Sequence, residues 1–129
     1  MDLLTTDEYR AVACGLALPT GAWIDGGYRP AISGATFDTV NPATGDRLTQ
    51  VADCGADDVD LAVTKARAAF DDGRWSRLHP SERKDVLIRL CKLMTRQRRE
   101  LAVLESIDSG KTIFDCETVD IPETIHCMK

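Results

Sequence analysis

The chain has 129 residues, of which 43% are apolar and 29% are charged, and its formal net charge is −5. This composition is that of a folded globular protein with one core, and it excludes a disordered chain. The acidic balance argues against a nucleic-acid partner, no apolar run approaches the ~18 residues of a membrane span, and the first residues lack the basic segment of a signal peptide. We therefore expect a cytoplasmic protein with no nucleic-acid or membrane partner.

Residues 1–21 are predicted to form an N-terminal arm that carries a short helix. Thr6 is placed to cap this helix, because its hydroxyl oxygen can accept from a free backbone N–H of the first turn. The apolar side of the helix is predicted to consist of Tyr9, Val12, Ala13 and Leu16.

Residues 22–54 change to strand character and predict two β-hairpins. Gly26-Gly27 separates the first two strands, because glycine accepts the positive φ angles of a tight turn. The four strands are predicted at residues 22–25, 28–30, 36–40 and 47–51. Four short strands form too small a sheet to stand alone, so we expect it to pack on other elements.

Residues 55–129 are predicted to be mainly helical, and the clearest helix covers residues 55–73. Its apolar residues recur at the spacing of one helical face: Val59, Ala62, Val63, Ala66, Ala69 and Phe70. Asp57, Asp58 and Asp60 lie near its start, where the helix dipole favours carboxylates.

A longer helical stretch is predicted between Pro80, which suits a first helical position, and Gly110, which suits the residue after a helix end. A continuous helix of about thirty residues is long for a globular domain, so we predict a break near Arg96–Glu100. The buried face is predicted to contain Leu87, Leu90, Cys91, Met94, Leu101, Leu104 and Ile107. The basic cluster Arg96, Arg98 and Arg99 is interpreted as a solvated helix end.

Residues 115–129 predict the beginning of another helix, with Pro122 as an early or kinking residue. The apolar pattern is still running at Lys129, so we expect a truncated piece of a longer protein. The predicted fold is an α+β segment with two N-terminal β-hairpins followed by three to four helices.

No motif for metal, nucleotide or nucleophilic chemistry is complete. The five cysteines form no C-x-x-C pair, and His79 and His126 are the only histidines, so we expect no zinc site. Residues 109–112 (SGKT) match part of a phosphate-binding loop, but Glu105 stands where its first glycine is required, and no G-x-G-x-x-G is present. Cys91 is interpreted as a small buried side chain, and none of the other cysteines has the neighbours of an activated nucleophile.

The order of several segments resembles the amino-terminal quarter of NAD(P)-dependent aldehyde dehydrogenases. The segments are residues 23–26 (WIDG), 37–45 (FDTVNPATG) and 58–70 (DVDLAVTKARAAF), then Trp75, Arg83 and Leu87, then residues 104–111 (LESIDSGK). The run around residues 120–122 (DIP) is further similar to bacterial enzymes that act on gamma-glutamyl-gamma-aminobutyraldehyde and related amino-aldehydes in putrescine breakdown.

The resemblance implies an α/β parent enzyme that oxidises an aldehyde to a carboxylic acid with NAD or NADP. In such enzymes a cysteine thiolate attacks the aldehyde, hydride passes from the thiohemiacetal to the nicotinamide, and a glutamate base helps to hydrolyse the thioester. The family's catalytic and cofactor-binding residues lie beyond this stretch, so we expect none in these 129 residues. The implied division is an N-terminal arm (1–21), a hairpin region (22–54) and a helical part that flanks the cofactor domain (55–129).

The resemblance also implies a structural site for a monovalent cation, sodium or potassium. Many members build it from a Thr-Val pair on a strand and the aspartate of the Leu-Asp-x-Gly-Lys segment, which match Thr39, Val40 and Asp108. Carboxylate and carbonyl oxygens are suitable hard ligands. A direct contact between Asp108 and Lys111, without an ion, is the alternative.

Two classes of function remain open from the sequence. The first is a structural portion of a homo-oligomeric aldehyde dehydrogenase, and the second is a stand-alone, non-catalytic interaction or oligomerisation module. The predicted helices at 55–73 and 80–109 each have an apolar face that two small hairpins cannot cover. We therefore expect the isolated chain to associate, through these faces or through the strand edges at residues 37–40 and 48–51.

Overall fold

The computed structural model describes residues 3–129, which divide into two compact units. The hairpin unit contains residues 18–40 and 47–80, and the helical unit contains residues 3–17, 41–46 and 81–129. The strands are β1 (Ala22–Ile24), β2 (Gly27–Arg29), β3 (Thr36–Val40) and β4 (Arg47–Ala52). The helices are α1 (Thr6–Gly15), α2 (Ala56–Asp71), α3 (Pro80–Arg96), α4 (Arg98–Ser109), α5 (Ile113–Asp115) and α6 (Ile121–Cys127), with a π-helical turn at Cys116–Asp120. The α+β fragment is confirmed, whereas the division at residues 21 and 54 stays a prediction.

Both predicted hairpins are present, each as a two-stranded antiparallel sheet. The tight turn lies one residue earlier than predicted: its two left-handed residues are Asp25 (φ 56°) and Gly26 (φ 77°), whereas Gly27 is the first residue of β2. In the second hairpin the register shifts between Thr39 and Val40, which marks a β-bulge. The backbone N–H of Ala52 donates to Thr20 O at 2.8 Å, so β4 is also tied to the segment that precedes β1.

The start of α2 is fixed by the buried carboxylate of Asp58. Its Oδ2 accepts from the backbone N–H of Gly55 at 2.9 Å, and its Oδ1 accepts from the backbone N–H of Ile32 at 2.9 Å. The role of Asp58 therefore goes beyond a favourable charge near the helix dipole, because its carboxylate also joins α2 to the segment after β2. Only 4% of this residue is exposed.

We expect Asp58→Ala to lower the free energy of unfolding by about 1–2 kcal/mol, because two backbone donors lose their acceptor in a buried place. Asp57→Ala is the matched control, since Asp57 is exposed in the same helical turn. Urea unfolding of both variants measures the difference. Equal losses in the two variants would mean that the Asp58 hydrogen bonds add nothing beyond the charge near the helix dipole.

The apolar face predicted for α2 is only partly covered. Its inner side meets β1 through residues that line one groove with the first hairpin, among them Ala62, Lys65 and Ala69. Val59, Val63 and Phe70 remain 56–61% exposed. The apolar face predicted for this helix is therefore left open at these three residues, because the small hairpin contacts a stripe about 100° further around the helix.

The predicted break in the long helical stretch is confirmed at Gln97, which separates α3 from α4. Gly110 has φ 76°, the left-handed conformation expected after the end of α4. Adding a Cβ there would also bring it 2.7 Å from Cγ of Pro42, so glycine is required for two reasons. Leu87 and Leu90, predicted to be buried, are 38–39% exposed.

The helical unit has a small core to which α3, α4, the π-helical turn and α6 contribute. Its buried members are Cys91, Ala102, Cys116, Ile121 and Ile125. Cys91 is 2% exposed, which confirms its interpretation as a buried side chain. Ala102 is completely buried. Because its side chain ends at Cβ, α4 can pack closely against the other elements of this core.

Two details of the helical unit differ from the sequence prediction. The cap of α1 is Thr5 and not Thr6: Thr5 and Glu8 form a reciprocal capping box, and the Thr5 backbone N–H holds the pKa of the Glu8 carboxyl below its usual value. The last helical segment begins at Ile113, capped by Thr112, and contains the π-helical turn. There the Ile121 N–H donates to Cys116 O, five residues earlier, just before Pro122, which has no N–H to continue the regular pattern.

None of the helices within residues 3–129 combines the length and the apolar character that a membrane crossing needs.

Candidate functional site

The residues predicted for a cation site lie on different parts of the fold. Thr39 is half-buried on β3, and its hydroxyl donates to Thr49 O at 3.4 Å. Val40 follows it at the bulge and is 50% exposed. Asp108 is exposed in the last turn of α4, where the sequence placed it. Thr39 and Val40 belong to the hairpin unit and Asp108 to the helical unit, so the three-residue cation site stays a prediction.

Lys111, the alternative partner of Asp108, is paired with a different carboxylate. The ammonium Nζ of Lys111 lies 2.6 Å from Oδ1 and 2.5 Å from Oδ2 of Asp120 in the π-helical turn. Asp120 raises the pKa of Lys111 through this contact. The predicted contact between Asp108 and Lys111 is therefore wrong: the lysine turns towards the helical segment that follows it, where a partly shielded carboxylate is available.

Three potential metal ligands gather beside this ion pair. A carboxylate oxygen of Glu105, Sγ of Cys116 and a carboxylate oxygen of Asp120 all lie within 4.8 Å of one another. Lys111 supplies a positive charge to this group. Burial, followed by the negative charges of Glu105 and Asp120, raises the pKa of the Cys116 thiol. Cys116 is therefore held as a neutral thiol, the opposite of an activated nucleophile.

The most enclosed charge in the described part of the chain is Glu117, which the sequence analysis did not single out. This residue is 1% exposed. Its Oε2 accepts from the Tyr9 hydroxyl at 2.5 Å, and its Oε1 lies 3.4 Å from Nε of Arg99 and 3.7 Å from Nε of Arg98. Burial, together with the hydrogen bond to Glu117, raises the pKa of Tyr9. These four side chains join α1, α4 and the π-helical turn.

The basic cluster at the start of α4 is therefore not simply a solvated helix end. The side chains of Arg98 and Arg99 are 36% and 35% exposed, and both reach the buried carboxylate of Glu117. That interpretation from the sequence was incomplete because the carboxylate lies 18 residues further along the chain. Two adjacent arginines at a helix start, where the dipole disfavours cations, were the signal that a carboxylate lies nearby.

The arrangement is suited to holding elements of the helical unit together. Within residues 3–129, the buried carboxylate of Glu117 is paired with two arginines, and that of Asp58 accepts from two backbone N–H groups. What these residues can do is position α1 and the last helical segment against α4.

Residues 28–129, about four-fifths of the chain, match the aldehyde dehydrogenase family. The chain belongs to the aldehyde dehydrogenase family. This aldehyde dehydrogenase segment is 52% identical over 128 residues to the aminoacetaldehyde dehydrogenase of Pseudomonas aeruginosa, and the match covers 99% of this chain and 26% of that protein. It spans about a quarter of the length of that relative.

Solved structures of dehydrogenases contain the same fold. The gamma-glutamyl-gamma-aminobutyraldehyde dehydrogenase of Burkholderia cenocepacia superposes with a TM-score of 0.94 at 46% identity, over 96% of this chain and 25% of that one. The indole-3-acetaldehyde dehydrogenase of P. syringae, in complex with NAD+ and IAA, superposes with a TM-score of 0.95 at 43% identity, over 98% of this chain and 26% of that one. The dehydrogenase segment therefore has the conformation that its relatives have within chains about four times as long.

Proposed function

We propose that these 129 residues are the amino-terminal scaffold of an enzyme that oxidises an aldehyde to a carboxylic acid with NAD(P)+. The observation that carries this proposal is the 52% identity, over 128 residues, to an aminoacetaldehyde dehydrogenase. The cysteine nucleophile, the glutamate base and the cofactor-binding residues belong to the part of the enzyme outside this segment. Within it, the Glu117 cluster and the core around Ala102 maintain the conformation that the rest of the enzyme packs against.

The proposed substrate is an amino-aldehyde, and the proposed cofactor is NAD. Support for the substrate class comes from two relatives, one named for aminoacetaldehyde and one for gamma-glutamyl-gamma-aminobutyraldehyde, an aldehyde of putrescine breakdown. Support for NAD comes from two solved complexes of indole-3-acetaldehyde dehydrogenases with NAD+. We also propose that the whole enzyme is a cytoplasmic homo-oligomer. All five cysteines are unpaired, which suits a reducing compartment.

A chimeric enzyme tests the scaffold role directly. The matched quarter of the Pseudomonas aeruginosa aminoacetaldehyde dehydrogenase is replaced by these 129 residues, and NAD+ reduction is followed with aminoacetaldehyde. We expect kcat to stay within about tenfold of the parent enzyme, because the residues that touch the reacting atoms are unchanged. A folded chimera without activity would contradict the proposal. The 129-residue chain alone should show no turnover, and turnover that a thiol-alkylating reagent abolishes would mean that it contains the nucleophile.

The cation site formed by Thr39, Val40 and Asp108 is part of this proposal. We expect Asp108→Ala to lower the melting temperature more in sodium or potassium chloride than in the chloride of a bulky organic cation, because only the small ions fit between oxygen ligands. Asp85→Ala is a control for the loss of one carboxylate in the same unit, because Asp85 is also an exposed helical aspartate. Equal losses in both salts would show that Asp108 acts without an ion.

A further inference from the structure

The group formed by Glu105, Cys116 and Asp120, which we call the ligand cluster, has the composition of a metal site. One carboxylate oxygen from each acid and Sγ of the cysteine lie within 4.8 Å of one another. In a tetrahedral zinc site such atoms are about 3.5 Å apart, so each would move by less than about 1 Å to share an ion. The ligands belong to α4 and the π-helical turn, and both elements are part of the helical unit.

The thiol of Cys116 faces the two carboxylates and is bound by nothing else. Cys116 is 0% exposed, and among the described residues its thiol has no hydrogen-bond partner. It precedes Asp120 by four positions in a π-helical turn, which takes a little over four residues, so both side chains lie on the same side of the helix. Burial and the neighbouring carboxylates raise the pKa of this thiol, whereas a divalent cation among them would favour the thiolate.

Asp120 offers an oxygen that its ion pair with Lys111 leaves without a hydrogen bond. Nζ of Lys111 donates to Oδ1 at 2.6 Å. Nζ is also 2.5 Å from Oδ2, but outside the direction of a hydrogen bond, and Oδ2 is shielded from solvent. A buried oxygen without a hydrogen bond is rare. Lys111, whose side chain is 44% exposed, can keep its bond to Oδ1 while Oδ2 binds an ion, in the way that neighbouring groups orient metal-bound carboxylates.

The charges and the donor types of the cluster select zinc. Two carboxylates and the ammonium of Lys111 leave one negative charge in excess. A divalent ion that displaces the thiol proton to solvent brings the whole group to neutrality. Calcium and magnesium take oxygen ligands, whereas Zn²⁺ accepts thiolate sulfur together with carboxylate oxygen. Three protein ligands leave the fourth position of a tetrahedral ion to water.

We propose that Glu105, Cys116 and Asp120 bind one Zn²⁺ ion, with Lys111 as the hydrogen-bond partner of Asp120. The ion joins α4 to the π-helical turn, and its binding does not depend on the dehydrogenase activity proposed above. The sequence predicted no zinc site because no paired cysteines or histidines have a suitable spacing. The ligands of this site are three different residue types, separated by eleven and four positions.

Isothermal titration calorimetry of the 129-residue chain with zinc chloride tests the site. The starting protein carries Cys14→Ser, Cys54→Ser and Cys127→Ser, because the exposed thiols would otherwise compete for zinc. We expect one ion per chain with a Kd below about 10 µM. Cys116→Ala should raise this Kd by about a hundredfold or more, because it removes the only sulfur ligand. Cys91→Ala is the matched control, since it removes the other buried thiol of the same core, and should change the Kd less than about threefold.

Cobalt(II) serves as a spectroscopic probe of the sulfur ligand. We expect a thiolate-to-cobalt charge-transfer band in the starting protein and in Cys91→Ala, and none in Cys116→Ala. If circular dichroism shows that Cys116→Ala is unfolded, Glu105→Gln and Glu100→Gln give the comparison, because Glu100 is an exposed glutamate on the same helix. Glu105→Gln should raise the Kd for zinc about tenfold or more, and Glu100→Gln less than about threefold.

A starting protein that binds no zinc overturns the proposal. Zinc binding that neither Cys116→Ala nor Glu105→Gln weakens also overturns it, because the ion then lies at another place, such as one of the two histidines. A cobalt complex without the charge-transfer band has the same consequence, because the thiol of the cluster is then not a ligand.

Discussion

Glu117→Ala is expected to lower the free energy of unfolding by about 3 kcal/mol and the melting temperature by about 10 °C. The carboxylate that is removed is fully buried, accepts a hydrogen bond from the Tyr9 hydroxyl and forms ion pairs with Arg98 and Arg99. Its loss leaves the Tyr9 hydroxyl without this acceptor and removes a carboxylate partner of Arg98 and Arg99. Because the arginine side chains are about one-third exposed, water compensates part of this loss, which places the effect at the lower end for a broken buried ion pair.

Urea unfolding of wild type and variants at one protein concentration measures this effect, since association would otherwise shift the apparent stability. Glu123→Ala is the matched control, because Glu123 is exposed on the next helix, and it should change the free energy of unfolding by less than about 0.5 kcal/mol. Glu117→Gln keeps the acceptor for Tyr9 without the charge and should lie between the two. A Glu117→Ala loss below about 1 kcal/mol would mean that the cluster does not hold α1 and the last helical segment to α4.

Ile125→Ala is expected to cost about 3 kcal/mol, because it leaves a cavity in the core of the helical unit. Ile125 is 8% exposed and packs in the cluster with Cys91, Ala102, Cys116 and Ile121. The backbone of α6 stays in place, since the Cys91 thiol donates to the carbonyl and not to the side chain of residue 125. The lost energy therefore reports side-chain packing alone.

Ile32→Ala makes the same chemical change at a site that is 59% exposed, and we expect it to cost less than about 1 kcal/mol. The backbone N–H of Ile32 still donates to Asp58 in that variant. Chemical denaturation of the two variants, with m values compared, separates a change in stability from a change in the unfolded state. Equal costs at the two positions would contradict the assignment of Ile125 to the core.

Features that depend on residues close together along the chain could be predicted from the sequence alone. The hairpins, the break between α3 and α4, the start of α3 at Pro80 and the left-handed Gly110 follow from apolar periodicity and from the conformational limits of proline and glycine. The membership in the aldehyde dehydrogenase family was also readable, because it rests on short segments in a fixed order. These properties need no knowledge of which segments meet in space.

Contacts between distant segments were decided only by the tertiary structure. Tyr9 and Glu117 are 108 positions apart, and no local pattern distinguishes a glutamate that will be buried from one that will be exposed. The sequence likewise did not predict that Asp58 binds the backbone of Ile32 or that Lys111 pairs with Asp120. Nor did it predict which apolar residues of α2 stay exposed and which residues of the helix meet β1. Periodicity predicts that a helix has an apolar face, but which part of that face is covered depends on the size and position of the element that packs against it.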